Sequence, residues 1–357
     1  MPVIGMRTRL VLLASAVMLA QGCASPAPRF NLFPGQGAGA QQTVWPAPPE
    51  TARYRYGGEL LGQVNFEAAA RESAGSRMLA WIVGVDHERE REATLKRPQC
   101  GMVDVAGRIL VTDLGQQAVA VFDAKSGLSF WDRADRGVHF AGPLGITAGP
   151  DAEIYVADAE LARVVRLDAR GNPLGSFGDG LLKRPTGLVR DPVTRLTYVA
   201  DTTAHDIKVF DDSHTLVRTL GGRGTEPGRF NAPTFLALHE GGIVVSDTLN
   251  ARVQLISATG DPRSVIGQRG IYVGNLTRPK GVAVDGDGNI YVVESFYDHL
   301  LVFDRSGQLL LPIGGGGSDP GKFFLPGGAW SDGANRIFVA DVFNARVSIF
   351  QYLEAPR

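Results

Sequence analysis

Six stretches of this chain repeat one pattern: a proline, then about fifteen residues later a short β-like run ending in an acid. The runs are Ile109–Asp113, Ile154–Asp158, Thr197–Asp201, Ile243–Asp247, Ile290–Glu294 and Ile337–Asp341, and their acids recur every 43 to 47 residues. A period of that size means one supersecondary unit copied along the chain, each copy burying its apolar faces against its neighbours. Two residues before each acid stands a valine: Val111, Val156, Val199, Val245, Val292 and Val339. Four residues before it are five isoleucines and Thr197. Side chains alternate along a strand with period two, so these positions share one face.

The positions six residues after the acids are Val119, Val164, Ile207, Val253, Leu300 and Val347, and those nine after are Phe122, Leu167, Phe210, Ile256, Phe303 and Phe350. They fall on opposite faces of the next strand, as expected for a small sheet sandwiched between two like sheets. A four-residue turn separates the two strands of each hairpin. Proline, which donates no backbone hydrogen bond, suits the entry to a strand, and Pro98, Pro143, Pro185, Pro233, Pro279 and Pro326 mark that entry. Glycine-containing turns then lead on to the acid-terminated strand and to a fourth run such as Leu309–Gly314. Four antiparallel strands per unit, repeated radially, predict an all-β, six-bladed β-propeller. The last repeat stops after its third strand, so an amino-terminal strand is expected to close the last blade. Met78–Gly84 resembles the fourth strands of other repeats and is the expected staple. Arg53–Phe66 is expected to add a strand or hairpin outside that seam.

The run Pro279-Lys280-Gly281-Val282-Ala283-Val284-Asp285, then Gly288-Asn289-Ile290-Tyr291-Val292, resembles the NHL repeat, as do the Asn-Ala-Arg turns at Asn250–Arg252 and Asn344–Arg346. The likeness covers roughly residues 78–356 and implies a six-bladed propeller. The chain departs from the pattern in places. Glu294 replaces aspartate, the arginine five residues after the acid remains only at Arg163, Arg252 and Arg346, and the first blade lacks the usual glycine spacing.

The amino terminus carries Arg7 and Arg9 and then the uncharged apolar stretch Leu10–Ala20, too short to cross a bilayer as a helix. Leu19-Ala20-Gln21-Gly22-Cys23 resembles the bacterial lipobox. That likeness implies a lipoprotein signal peptide over residues 1–22 and a mature chain starting at Cys23. It further implies a diacylglyceryl thioether on Cys23, usually with an amide-linked acyl chain such as palmitate, giving a firm membrane anchor. Ala24 and Ser25 then imply the outer membrane. Residues 23–55, rich in Pro, Gly, Ala and Gln, read as a flexible tether, and residues 56–357 as the propeller. With Cys23 lipidated, Cys100 has no partner and reads as a small buried residue.

Net charge is −1, from 36 basic and 37 acidic side chains, so a globally basic footprint for nucleic acid is absent. The repeated acids Asp113, Asp158, Asp201, Asp247, Glu294 and Asp341 read as structural, since identical positions imply identical roles. They can accept turn amides and pair with the arginine five residues on. Some NHL-like propellers are metal-dependent lyases or lactonases, so the resemblance also implies an alternative: an enzyme with zinc or calcium in the axial channel. Of six histidines, only His205 and His299 occupy comparable places, in the turn after an acid and on non-adjacent blades. No nucleophile elbow, P-loop or paired-carboxylate motif stands out, and no catalytic residue is assigned. The hairpin turns vary while the strands repeat, which is how a scaffold carries a site on its loops. Phe296, Tyr297 and Phe343, with His299 and His205, are the candidate contacts for a protein or peptide partner. The expected function is that of a lipid-anchored, non-enzymatic binding platform in the bacterial envelope.

Overall fold

The computed structural model describes residues 29–34, 43–67 and 93–353. Six antiparallel sheets are arranged as the blades of a propeller. The inner strands are Pro98–Val103, Pro143–Ala148, Pro185–Asp191, Pro233–His239, Pro279–Val284 and Ala329–Ser331. In the first five blades the proline pairs directly with the acid, as in Pro98 with Asp113 and Pro279 with Glu294. The proline-to-acid spacing seen in the sequence is therefore the register of one hairpin. In the sixth blade the inner strand begins three residues beyond Pro326.

The apolar core is not central. Six separate clusters form, one between each pair of neighbouring blades. The six repeated valines are all fully buried at 0% exposure, because each blade is covered on both faces. Near the axis, hydrogen bonds join successive blades: Thr112 Oγ1 donates to the Leu144 carbonyl at 2.6 Å, and Thr202 Oγ1 to Pro233 at 2.7 Å. Thr248 Oγ1 donates to Pro279 at 2.8 Å. The Gly281 amide donates to Gly327 and the Gly328 amide to Gln99, and the last of these joins blade six to blade one. A Cβ at Gly328 would collide with the Gln99 carbonyl, so only glycine allows that approach.

An amino-terminal strand does close the last blade, but it is Tyr54–Leu60, paired antiparallel with Arg346–Tyr352. Arg53–Phe66 thus contains the seam itself, and Met78–Gly84 lies outside the described residues. The physical reason is chemical complementarity. Tyr54, Tyr56 and Leu60 alternate into the core, while Glu59 adds a second carboxylate to the buried Arg346, which also pairs with Asp341. The expected tether also contributes structure. Val44–Trp45 adds a fifth strand beside Tyr54–Leu60, with Trp45 packed 5.4 Å from the ring of Phe350. Arg29–Phe30 pairs with Phe66–Glu67. Cys23 and the expected signal peptide before it lie outside the described residues. Among the described residues no helix is long and apolar enough to cross a membrane.

Candidate functional site

The turns that follow the acids share one face of the ring with the connections from each outer strand to the next inner strand. This is called the upper face below. The acids lie beneath it, fully buried or nearly so. Asp158 accepts four backbone amides, from Ala141, Gly142, Glu160 and Leu161. Asp113 accepts those of Lys96, Arg97, Gly115 and Gln116. Asp201 accepts those of Lys183, Arg184 and Ala204. Glu294, with its longer side chain, accepts those of Thr277, Arg278 and Phe296. Asp247 and Asp341 take the arginine five residues on, Arg252 and Arg346, together with Asn250 and Asn344. Each carboxylate thereby ties its turn to the segment entering the same blade. Burial pushes the Asp341 carboxyl above its usual range, against the lowering effect of Phe324, Asn344 and Arg346.

His205 and His299 do not hold equivalent positions. The fourth turn residue is left-handed in all six blades and never glycine: Gln117, Ala162, His205, Ala251, Asp298 and Ala345. His205 is therefore the counterpart of Asp298, two residue types that tolerate this conformation better than most. Their side chains do the same work. His205 Nδ1 accepts the Ala232 amide at 3.0 Å, and Asp298 Oδ1 accepts the Leu325 amide at 2.7 Å. Ala232 and Leu325 are each the residue before the next blade's proline, and both are left-handed themselves. His299 begins the third strand of blade five opposite Glu294. Among the described residues no group of three or more His, Cys, Asp and Glu side chains is placed to hold a metal ion.

The aromatic residues singled out from the sequence lie exposed on the upper face. Phe296 is 52% and Phe343 57% exposed, and Phe296 meets Tyr297 edge-on with ring centres 4.9 Å apart. Phe343 pairs with Phe324 at 5.4 Å. Sequence reasoning missed Phe324 and the segment Ile271-Tyr272-Val273, in which Ile271 and Tyr272 are each 77% exposed. Both belong to connections between blades that share one glycine spacing, as in Ile266–Pro279 and Ile313–Pro326, but carry different residues at these positions; the signal available was three consecutive large apolar residues between glycines. A cavity of about 210 Å³ lies between this segment and blade five, lined by Tyr272, Asn275, Tyr297, His299 and Leu301 among others. The Asp298–Leu325 bond joins the turn of blade five to the strand entry of blade six, so both aromatic pairs sit on linked loops. Cys100 is buried beside the axis, and burial pushes its thiol up to about 11.

No protein-family model matches the sequence. The chain is 28% identical over 145 residues to the protein brain tumor of Drosophila melanogaster, a match covering 39% of this chain and 13% of that protein. The chain spans about one seventh of the length of the curated relatives it matches. Among solved structures it is similar to a gluconolactonase of Xanthomonas campestris, at TM-score 0.56 and 14% identity over 72% of this chain and 87% of that one. It is also similar to the virginiamycin B lyase of Staphylococcus aureus, at TM-score 0.53 and 12% identity over 72% and 96%. At such identities the likeness shows the propeller fold alone.

Proposed function

We propose that this chain is a non-enzymatic binding platform of the NHL-repeat type, held at the bacterial envelope through lipid on Cys23. Its upper face at blades four to six receives a protein or peptide segment. The observation that carries this reading is the cluster of exposed apolar side chains on linked loops there, flanking an apolar cavity. Aromatic side chains supply large contact area at low conformational cost, and clusters of them mark interaction surfaces. The six turns differ in sequence while the strands beneath them hold one geometry, so the face varies without cost to the scaffold.

The test is a Phe296→Ala, Tyr297→Ala, Phe343→Ala triple variant, crosslinked in intact cells and analysed by mass spectrometry beside the native chain. Loss of a captured partner at unchanged melting temperature supports the reading, and unchanged capture refutes it. Turnover of a peptide or lactone that depends on stoichiometric zinc or calcium would also refute it. For the anchor, Cys23→Ala should move the protein out of the membrane fraction and abolish incorporation of labelled palmitate.

A further inference from the structure

Cations gather on the upper face where the chain enters its blades. The residue before each blade-entry proline alternates round the ring: Arg97, Arg184 and Arg278 in blades one, three and five, against Gly142, Ala232 and Leu325 between them. Lys96 and Lys183 precede the first two, and Lys280 follows Pro279. No blade carries an acid at any of these three positions. Five of the six cations are exposed, and Lys280 is half-buried.

The buried acids beneath do not draw off these charged side chains. Asp113, Asp201 and Glu294 accept the backbone amides of Arg97, Arg184 and Arg278 instead. Among the described residues, only Arg184 of the six pairs with a carboxylate, Glu160 at 2.8 Å. Exposed acids such as Glu226 and Asp319 lie outward, where their carbonyls accept from Arg252 and Arg346 at the start of third strands. Burial, joined by the nearby Arg278, pushes the Lys280 ammonium below its usual range, and an anion would relieve that strain. The rim adjoins the aromatic patch. Glu294 Oε1 accepts the Arg278 amide at 3.0 Å and the Phe296 amide at 2.9 Å, which sets those two backbones side by side.

We propose that the segment received by the upper face is an acidic peptide, its carboxylates on Arg278 and Lys280 and its apolar side chains on Phe296 and Tyr297. Arg97 and Arg184 continue the same charge around the mouth. This rests on the platform reading and names the chemistry of the partner. A guanidinium fork matches a carboxylate in two parallel hydrogen bonds. A phosphate polymer gains affinity from many contacts along a basic track. Here the cations ring one mouth beside apolar side chains, on a chain of net charge −1, which suits a short acidic segment better.

The probe is a random copolymer of glutamate and tyrosine, titrated against the full chain by fluorescence anisotropy. A lysine–tyrosine copolymer, polyuridylate and phosphatidylglycerol vesicles are run beside it. The glutamate copolymer should bind about tenfold or more tighter than each of the others. The Arg278→Ala, Lys280→Thr double variant should weaken it by about tenfold. Blade four already carries Ala232 and Thr234 at these two positions, so the variant should keep the native melting temperature. Arg170→Ala, which removes an exposed cation from the opposite face, should leave binding unchanged. No glutamate-copolymer binding, equal binding of any other probe, or undiminished binding to the folded double variant would each overturn the proposal. In intact cells the double variant should lose the crosslinked partner as the aromatic triple variant does. A partner kept by the double variant but lost by the triple one would overturn the acidic peptide alone and leave the platform standing. A partner kept by both would refute the platform as well.

Discussion

Arg346 Nη1 lies 3.0 Å from Glu59 Oε2, joining residues 287 positions apart across the seam of the ring. The same guanidinium donates through Nε to Asp341 and through Nη2 to the Asp319 and Lys322 carbonyls. Arg346 therefore links the acid of the last repeat to the amino-terminal strand that completes its blade. Removing one partner of a buried pair leaves an uncompensated charge, at a cost of about 3 to 5 kcal/mol. Arg346→Ala should lower the unfolding free energy by that amount in urea titration. Glu59→Gln, which keeps an oxygen acceptor, should cost less. Equal and negligible effects would show that the seam does not rely on this contact.

His205 and Asp298 provide the second prediction, since each accepts the amide that precedes a blade-entry proline. His205→Ala leaves the Ala232 amide without that acceptor and should cost about 1 to 2 kcal/mol. His205→Asp should restore most of the loss, because aspartate already fills this role in blade five. Measured stability of the Asp variant no better than that of the Ala variant would refute the equivalence.

Acid should weaken the fold at the Arg190–Asp212 pair. The two side chains meet in a bidentate contact at 2.8 and 2.9 Å, and both are largely shielded from solvent. Hydrogen bonding to Arg190, helped by Arg195, holds the Asp212 carboxyl below its usual range. A depressed folded-state value contributes stability that is fully present above the unfolded value, about 4, and is lost as pH falls through the folded one. Asp212→Asn should lower stability near neutral pH by about 2 kcal/mol. It should also flatten the decline below pH about 4, as read from denaturation midpoints across a pH series. An unchanged acid limb would contradict this.

Phe235 of blade four packs with Cys100 of blade one and Val282 of blade five, and Phe235→Ala should cost about 3 to 5 kcal/mol through the cavity it leaves. It should also expose Cys100, which belongs to the same apolar cluster. The rate of Cys100 modification by a small disulfide reagent is expected to rise relative to the native chain. A folded variant that reacts no faster would show that Phe235 does not shield the thiol.

Blade number, the order of strands within each repeat and the apolar positions on both strand faces were legible in the chain before folding. Those properties depend on consecutive residues: side chains alternate with period two, and the proline-to-acid spacing equals one paired hairpin. The repeated acids at Asp113 or Asp158 were legible for the same reason. Features that need distant segments to meet emerged only on folding. The pairing of Tyr54–Leu60 with Arg346–Tyr352, with Glu59 reaching Arg346, joins segments far apart in the chain, so the local repeat pattern did not reveal it. The kinship of His205 with Asp298 stayed hidden because the two residue types share an acceptor role and a backbone conformation without sharing a letter. The aromatic patch gained Phe324 and Ile271–Val273 from positions at which the repeated connections differ, and only closure of the ring brings those positions to one face.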